Sequence, residues 1–203
     1  GDGSSAREEG VREGRIMVSM KEVLMMLVIF SLLHVLGNSA RGILRTILPF
    51  YLTERFGRDK TEVGVFFSVS FGIATLITQI PSGFLADKFG RKKIMAYAIL
   101  MIPAISMALP FIDDYILLLL SFTVITGLWS ITWPASTAYV IGLMPPSRRG
   151  MLLGVRQTAV RLGFTVGPII GGYMWDSLGS AAPFYAATIF FTISLILALL
   201  LKE

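Results

Sequence analysis

Four polar side chains interrupt an otherwise apolar stretch at His34, Asn38, Arg41 and Arg45. At about 100° per residue, spacings of four, three and four keep them within roughly 60° of one another, as one stripe on a helix. The stripe offers an imidazole that can titrate near neutral pH. It also offers guanidinium groups that match carboxylate or phosphate in a bidentate way. Counting about 1.5 Å per residue from the inner end places His34 near a bilayer midplane. Arg45 falls near the outer surface, where its stem can snorkel. A second set is Arg156, Gln157 and Arg161. The same count puts Arg161 close to the midplane, where an unpaired cation is costly. Arg156 reads as an interfacial charge. No Asp or Glu lies deep in any apolar stretch. Arg161 therefore calls for a carbonyl, a polar side chain, a residue outside this chain or an anionic substrate. Trp129 and Trp133 share a face four residues apart and suit either stacking on a ligand or plain packing. Gln79 is a further cavity candidate.

These residues need membrane-spanning elements to hold them. Of 203 residues, 54% are hydrophobic and only 15% charged. Charged residues make up about a quarter of a soluble domain, so this is a membrane composition. It argues against a soluble enzyme, a nucleic-acid-binding domain and a disordered tail. A helix of roughly 20 apolar residues crosses about 30 Å of hydrocarbon. Six candidate spans run over 23–52, 63–86, 94–111, 115–144, 151–175 and 183–201, separated by charged or turn-forming breaks. The spans at 94–111 and 183–201 carry no charged residue in their cores, which suits a lipid-facing position. Residues 1–20 are polar and Gly-rich and read as a flexible cytoplasmic tail, leaving 21–203 as one all-α bundle.

Basic residues orient the bundle. Arg7, Arg12, Arg15, Lys21, Lys88, Arg91, Lys92, Lys93, Arg148, Arg149 and Lys202 fall on one side. Arg55, Arg58 and Lys60 fall on the other. Eleven against three is a positive-inside bias that predicts both termini cytoplasmic. The formal net charge of +5 is read as topology rather than as a nucleic-acid footprint. The first apolar stretch is too long for a signal-peptide core and should remain in the membrane.

Two motifs sharpen the reading. The loop after the second span runs Gly83-Phe84-Leu85-Ala86-Asp87-Lys88-Phe89-Gly90-Arg91-Lys92-Lys93. It resembles the signature loop of the major facilitator superfamily. Asp87 could cap a helix or pair with Arg91. Gly83 lets another helix approach, and Gly90 permits a tight turn. The fifth span contains Gly163-Phe164-Thr165-Val166-Gly167-Pro168-Ile169-Ile170-Gly171-Gly172. This resembles the fifth-helix motif of the superfamily's antiporters. Gly163, Gly167 and Gly171 share one face that a neighbouring helix can pack against, and Pro168 favours a bend. The resemblance implies one six-helix half of the major facilitator fold. It also implies a cytoplasmic latch in which Asp87 faces a helix start in the other half. One departure stands out: many drug-exporting members carry an Arg four residues before a Gly in the fourth helix. Here that position, before Gly127, is Thr123.

The resemblance implies secondary active transport by alternating access, with proton-linked export across the cell membrane, and the arginines within the spans point to a small anionic or amphiphilic solute. Twelve helices are usual in the family. The alternative is therefore a half-size module needing a second six-helix half or a homodimer. Catalysis is not expected, because no rhomboid-type Gly-x-Ser-Gly, no His-Glu-x-x-His and no membrane-embedded Asp pair occurs. With no Cys, thiolate metal sites are excluded. The absence of a Gly-Lys-Ser/Thr phosphate loop leaves gradients as the energy source. No cofactor is implied.

Overall fold

In a computed structural model the described residues are 3–143 and 145–202, with side chains from Met20 onward. The tail read over 1–20 therefore lies largely outside the described side chains. α1 (Gly3–Phe56) ends where Gly57 adopts a positive φ of 61°. Asp59 then caps α2 (Lys60–Phe67): its carboxylate accepts from the Glu62 amide at 2.8 Å, and Glu62 accepts from the Asp59 amide at 3.2 Å. This capping box satisfies two otherwise orphan donors. The helix loosens into a π-turn over Ser68–Ile73 and resumes as α3 (Ala74–Phe89). Gly90, at φ 98°, supplies the turn into α4 (Arg91–Leu100). α5 (Ile102–Ala108) carries Pro103 in its first turn. Asp114 caps α6 (Tyr115–Gly142) through the Leu117 amide at 2.8 Å. α7 (Arg149–Leu178) stops at Gly179, φ 94°, and α8 (Ala182–Leu200) closes the described bundle.

Among the described residues, five helical segments are long and apolar enough to cross a membrane: Met20–Phe56, Lys60–Phe89, Arg91–Phe111, Tyr115–Gly142 and Ala182–Leu200. α7 has the length, at 30 residues, but is not one of the five. Its glycines and its Arg156, Gln157 and Arg161 dilute its apolarity.

α1 is the central element and packs chiefly on α7 and α8, while α6 takes α3 and α4. The core is aromatic and aliphatic: Phe30, Leu33, Ile43, Leu44, Ile47, Phe66, Phe184 and Phe191 are fully buried. Tyr51 meets Phe184 edge-on at 4.9 Å, and Phe66 stacks on Phe122 at 5.7 Å. The outer surface is equally apolar. Tyr97, Leu100, Met107, Ile189, Ile196 and Leu199 are exposed on α4, α5 and α8, the inverse of a water-facing surface and natural against lipid tails. Ion pairs sit at the two ends of the bundle. Arg55–Asp113 and Arg58–Glu62 (2.7 Å) close one end. Lys202–Glu22 (3.4 Å) joins the start of the first apolar stretch to the end of the last.

Candidate substrate pathway

The α1 stripe lines up as its spacing predicts. Asn38 is its hinge: its amide nitrogen donates to the His34 carbonyl at 2.7 Å, and its amide oxygen accepts from Arg41 at 3.2 Å. Arg41 lies among three aromatic rings, at 5.4 Å from Phe164, 5.9 Å from Phe71 and 6.0 Å from Trp129. A guanidinium has five N–H donors, and the bond to Asn38 is the single one Arg41 makes among the described residues. His34 is 3% exposed, edge-on to Phe30 at 4.3 Å and to Trp129 at 6.5 Å. Neither of its ring nitrogens has a partner among the described residues. The stripe thus meets α6 through Trp129, whose indole fills the notch left by Gly37. A Cβ at Gly37 would overlap the ring.

Trp133 shares the α6 face with Trp129 but belongs to a different neighbourhood. It is 39% exposed and lines a cavity of about 540 Å³ with Gln79, Ile80 and Thr137. Gln79 is exposed there. On its other side Trp133 carries Arg156, whose guanidinium carbon is 3.8 Å from the ring centre. Arg156 is 3% exposed and donates to Ser136 Oγ from Nε at 3.2 Å and from Nη2 at 3.1 Å. Arg156, read from sequence as an interfacial charge, is buried between α7 and α6. Arg161 is exposed and forms no ion pair among the described residues. The two arginines thus differ in burial. Five residues on a helix turn through about 140°, and Arg156 shares the stripe of Gly163 and Gly167 whereas Arg161 faces away.

That glycine stripe forms the tightest seam in the bundle. A Cβ at Gly163 would lie 2.6 Å from the Val35 carbonyl and 2.9 Å from the Ser39 amide. One at Gly167 would collide with the Ser39 carbonyl, and one at Gly171 would lie 3.2 Å from Ile43. α1 and α7 thus run parallel, backbone against backbone. Pro168 packs into the space left by Gly42. Gly172 meets nothing and lies outside the seam.

The loop residues Asp87, Gly90 and Arg91 line a cavity of about 340 Å³ with Tyr139, Gly142 and Lys202. Arg91 does not pair with Asp87; it donates to the Ala138 carbonyl of α6 at 2.8 Å. Asp87 caps no described helix and is exposed, as is Lys88, while Lys92 is half-buried. A Cβ at Gly83 meets no atom, so the close helix approach expected there is absent among the described residues. Thr123 turns back to its own helix, donating to the Leu119 carbonyl at 2.6 Å. Two further features escaped the sequence reading. Thr78 of α3 bonds Ser130 of α6, and Ser136 anchors Arg156. A hydroxyl in an apolar helix bonds its own carbonyls by default, so its choice of a neighbour leaves no sequence signal.

The family comparison agrees with this architecture. The model of the Major Facilitator Superfamily matches residues 28–203. An MFS-type transporter of Methanocaldococcus jannaschii is 30% identical over 145 residues, covering 71% of this chain and 37% of the relative. The multi-drug resistance efflux pump PmrA of Streptococcus pneumoniae is 27% identical over 169 residues, covering 80% and 42%. A Na(+), Li(+), K(+)/H(+) antiporter of Planococcus maritimus is 25% identical over 146 residues, covering 69% and 34%. The chain spans less than half the length of these relatives. With its helical bundle, apolar exterior and family match over most of its length, the chain belongs to the Major Facilitator Superfamily.

Proposed function

We propose that residues 21–203 are the N-terminal six-helix half of a secondary active transporter of the cell membrane, with both termini cytoplasmic. It moves a small anionic or amphiphilic solute by alternating access, in proton-linked export. The observation that carries this reading is Arg41. It is held among aromatic rings with one hydrogen bond and no carboxylate partner among the described residues, an expensive arrangement in a bilayer unless a ligand completes it. His34, Asn38 and Trp129 surround the same point. Arg161, Trp133 and Gln79 face the open side of the bundle. The efflux and proton-antiport names of two relatives support the exchange. The loop around Asp87 and Arg91 serves as the cytoplasmic gate, and the glycine–proline motif of α7 sets the packing behind the site.

A second reading rests on the exposed apolar face of α3 and α7. Leu76, Ile77, Ile80, Ile169 and Tyr173 are uncovered there, in a chain whose match covers less than half the length of its relatives. In this reading a second six-helix half or a second copy covers the face, and the chain alone does not transport. Proteoliposomes with an imposed pH gradient separate the two. Gradient-driven flux by the chain alone, abolished by Arg41→Gln, supports the first. A stable bundle that moves nothing until a second half is supplied supports the second. Flux indifferent to both the gradient and Arg41 defeats proton-linked transport through this site.

A further inference from the structure

The π-turn of Ser68–Ile73 places Phe71 between two arginines of α1. Arg41 lies 5.9 Å from the ring centre and Arg45 lies 5.7 Å from it. The ring is fixed from behind, stacked on Phe67 at 5.9 Å and edge-on to Phe122 at 5.6 Å. The turn is held by Ser70, whose hydroxyl donates to the Phe66 carbonyl at 2.7 Å. Such π-turns recur at functional sites; the extra residue changes the phase of the helix beyond it. Arg45 opens onto a cavity of about 560 Å³ lined by Pro49, Phe67, Ser68, Phe71 and Gly72. Two guanidinium groups on one ring repel one another. Neither has a carboxylate partner among the described residues, unlike Arg55 and Arg58 at the bundle end.

We propose that Arg45, Phe71 and the Ser68–Ile73 turn form an exit site for an oxyanion carried on a flat apolar body, which takes the anion from Arg41 around Phe71. The inference deepens the transport reading above and rests on it for the hand-over, while the binding step stands alone. Charge selects the oxyanion, and bidentate geometry suits carboxylate, sulfonate or phosphate. The Phe67–Phe71 wall supplies the apolar surface. Arg156 does not share this ligand. The α1–α7 register puts it level with about residue 30 of α1, roughly 15 Å along the axis from Arg41 at 1.5 Å per residue.

The test uses the full chain in nanodiscs of phosphatidylcholine, with naphthalene-1-sulfonate as the anionic probe and naphthalene-1-methanol as its neutral match. The sulfonate should bind wild type more tightly than the alcohol, with affinity lowered about ten-fold or more by Arg45→Gln, in line with lost charge-assisted bonds. Arg45→Lys should fall between, because it keeps charge without the planar fork, and Arg55→Gln should match wild type. The sulfonate should also slow phenylglyoxal labelling of Arg45 in the unmutated protein, a readout that no folding defect can imitate. Phosphatidylglycerol added to the discs displaces the probe if the natural oxyanion is a lipid headgroup and leaves it bound if it is a soluble solute. Sulfonate binding no tighter than the alcohol, or unchanged in Arg45→Gln with no protection from phenylglyoxal, overturns the site and leaves the transport reading intact. Selective sulfonate binding by a chain that gives no flux in proteoliposomes even when a second six-helix half is supplied sinks the transport reading and leaves the site.

Discussion

Arg156 and Arg161 are the same residue type on the same helix, five positions apart, in opposite settings. Arg156 is buried against Trp133 and bonded twice to Ser136. Arg161 stands exposed on the far side of α7. Helical phase separates their burial, since five residues turn through about 140°. The buried residues of α7 run Leu152, Arg156, Ala159, Val160, Gly163, Gly167 and Gly171, one stripe at three- and four-residue steps. A position in phase with the glycines is covered by neighbouring helices whatever its charge, and a position out of phase is not.

The contrast can be broken at several points. The largest loss is expected from Gly167→Ala, whose methyl meets the Ser39 carbonyl, a backbone atom that cannot rotate away. A destabilisation of about 3 kcal/mol, at the upper end for overpacking, should appear in detergent unfolding. Gly172→Ala, out of phase by one position, should be neutral or stabilising by up to about 1 kcal/mol through helix propensity. Equal effects of the two would mean that the seam does not govern α7. Next comes Arg156→Ala, expected to cost about 2 kcal/mol in the same assay through the lost stacking and charged hydrogen bonds. Arg161→Ala should stay within about 0.5 kcal/mol, as exposed substitutions do. A reversed order would mean that helical phase does not set the burial of the two arginines. The smallest resolvable effect is Ser136→Ala, at about 1 kcal/mol for hydrogen bonds to a charged group partly replaced by stacking. A double-mutant cycle between Ser136→Ala and Arg156→Ala should show coupling, and strict additivity would argue that the two are independent.

Much of the fold was legible because bilayer physics writes long signals. Apolar runs gave the segments, charged and turn-forming breaks such as Gly90 marked their boundaries, and the two motifs identified the family. The glycine spacing also foretold a close seam, though not that its partner would be α1. What remained hidden were short-range choices. The π-turn at Ser68–Ile73 has no proline or charge to announce it, only Ser68, Ser70 and Gly72 in an apolar helix. His34 was legible as a buried polar group, but the rings around it come from α1 and α6 and depend on tertiary packing. The burial of Arg156 was recoverable from its spacing: its seven-residue separation from Gly163 is two turns of one face.

The α1–α7 seam has a mechanical consequence. Side-chain interfaces can slide by exchanging rotamers, but where Gly163, Gly167 and Gly171 rest on the α1 main chain there are no rotamers to exchange. Interdigitated backbone resists shear in the way a keyed joint does. Helices α1 and α7 therefore behave as one stiff beam. Any rocking of this bundle must be accommodated elsewhere, where helices are joined by turns such as Gly90 rather than locked by main chain on main chain.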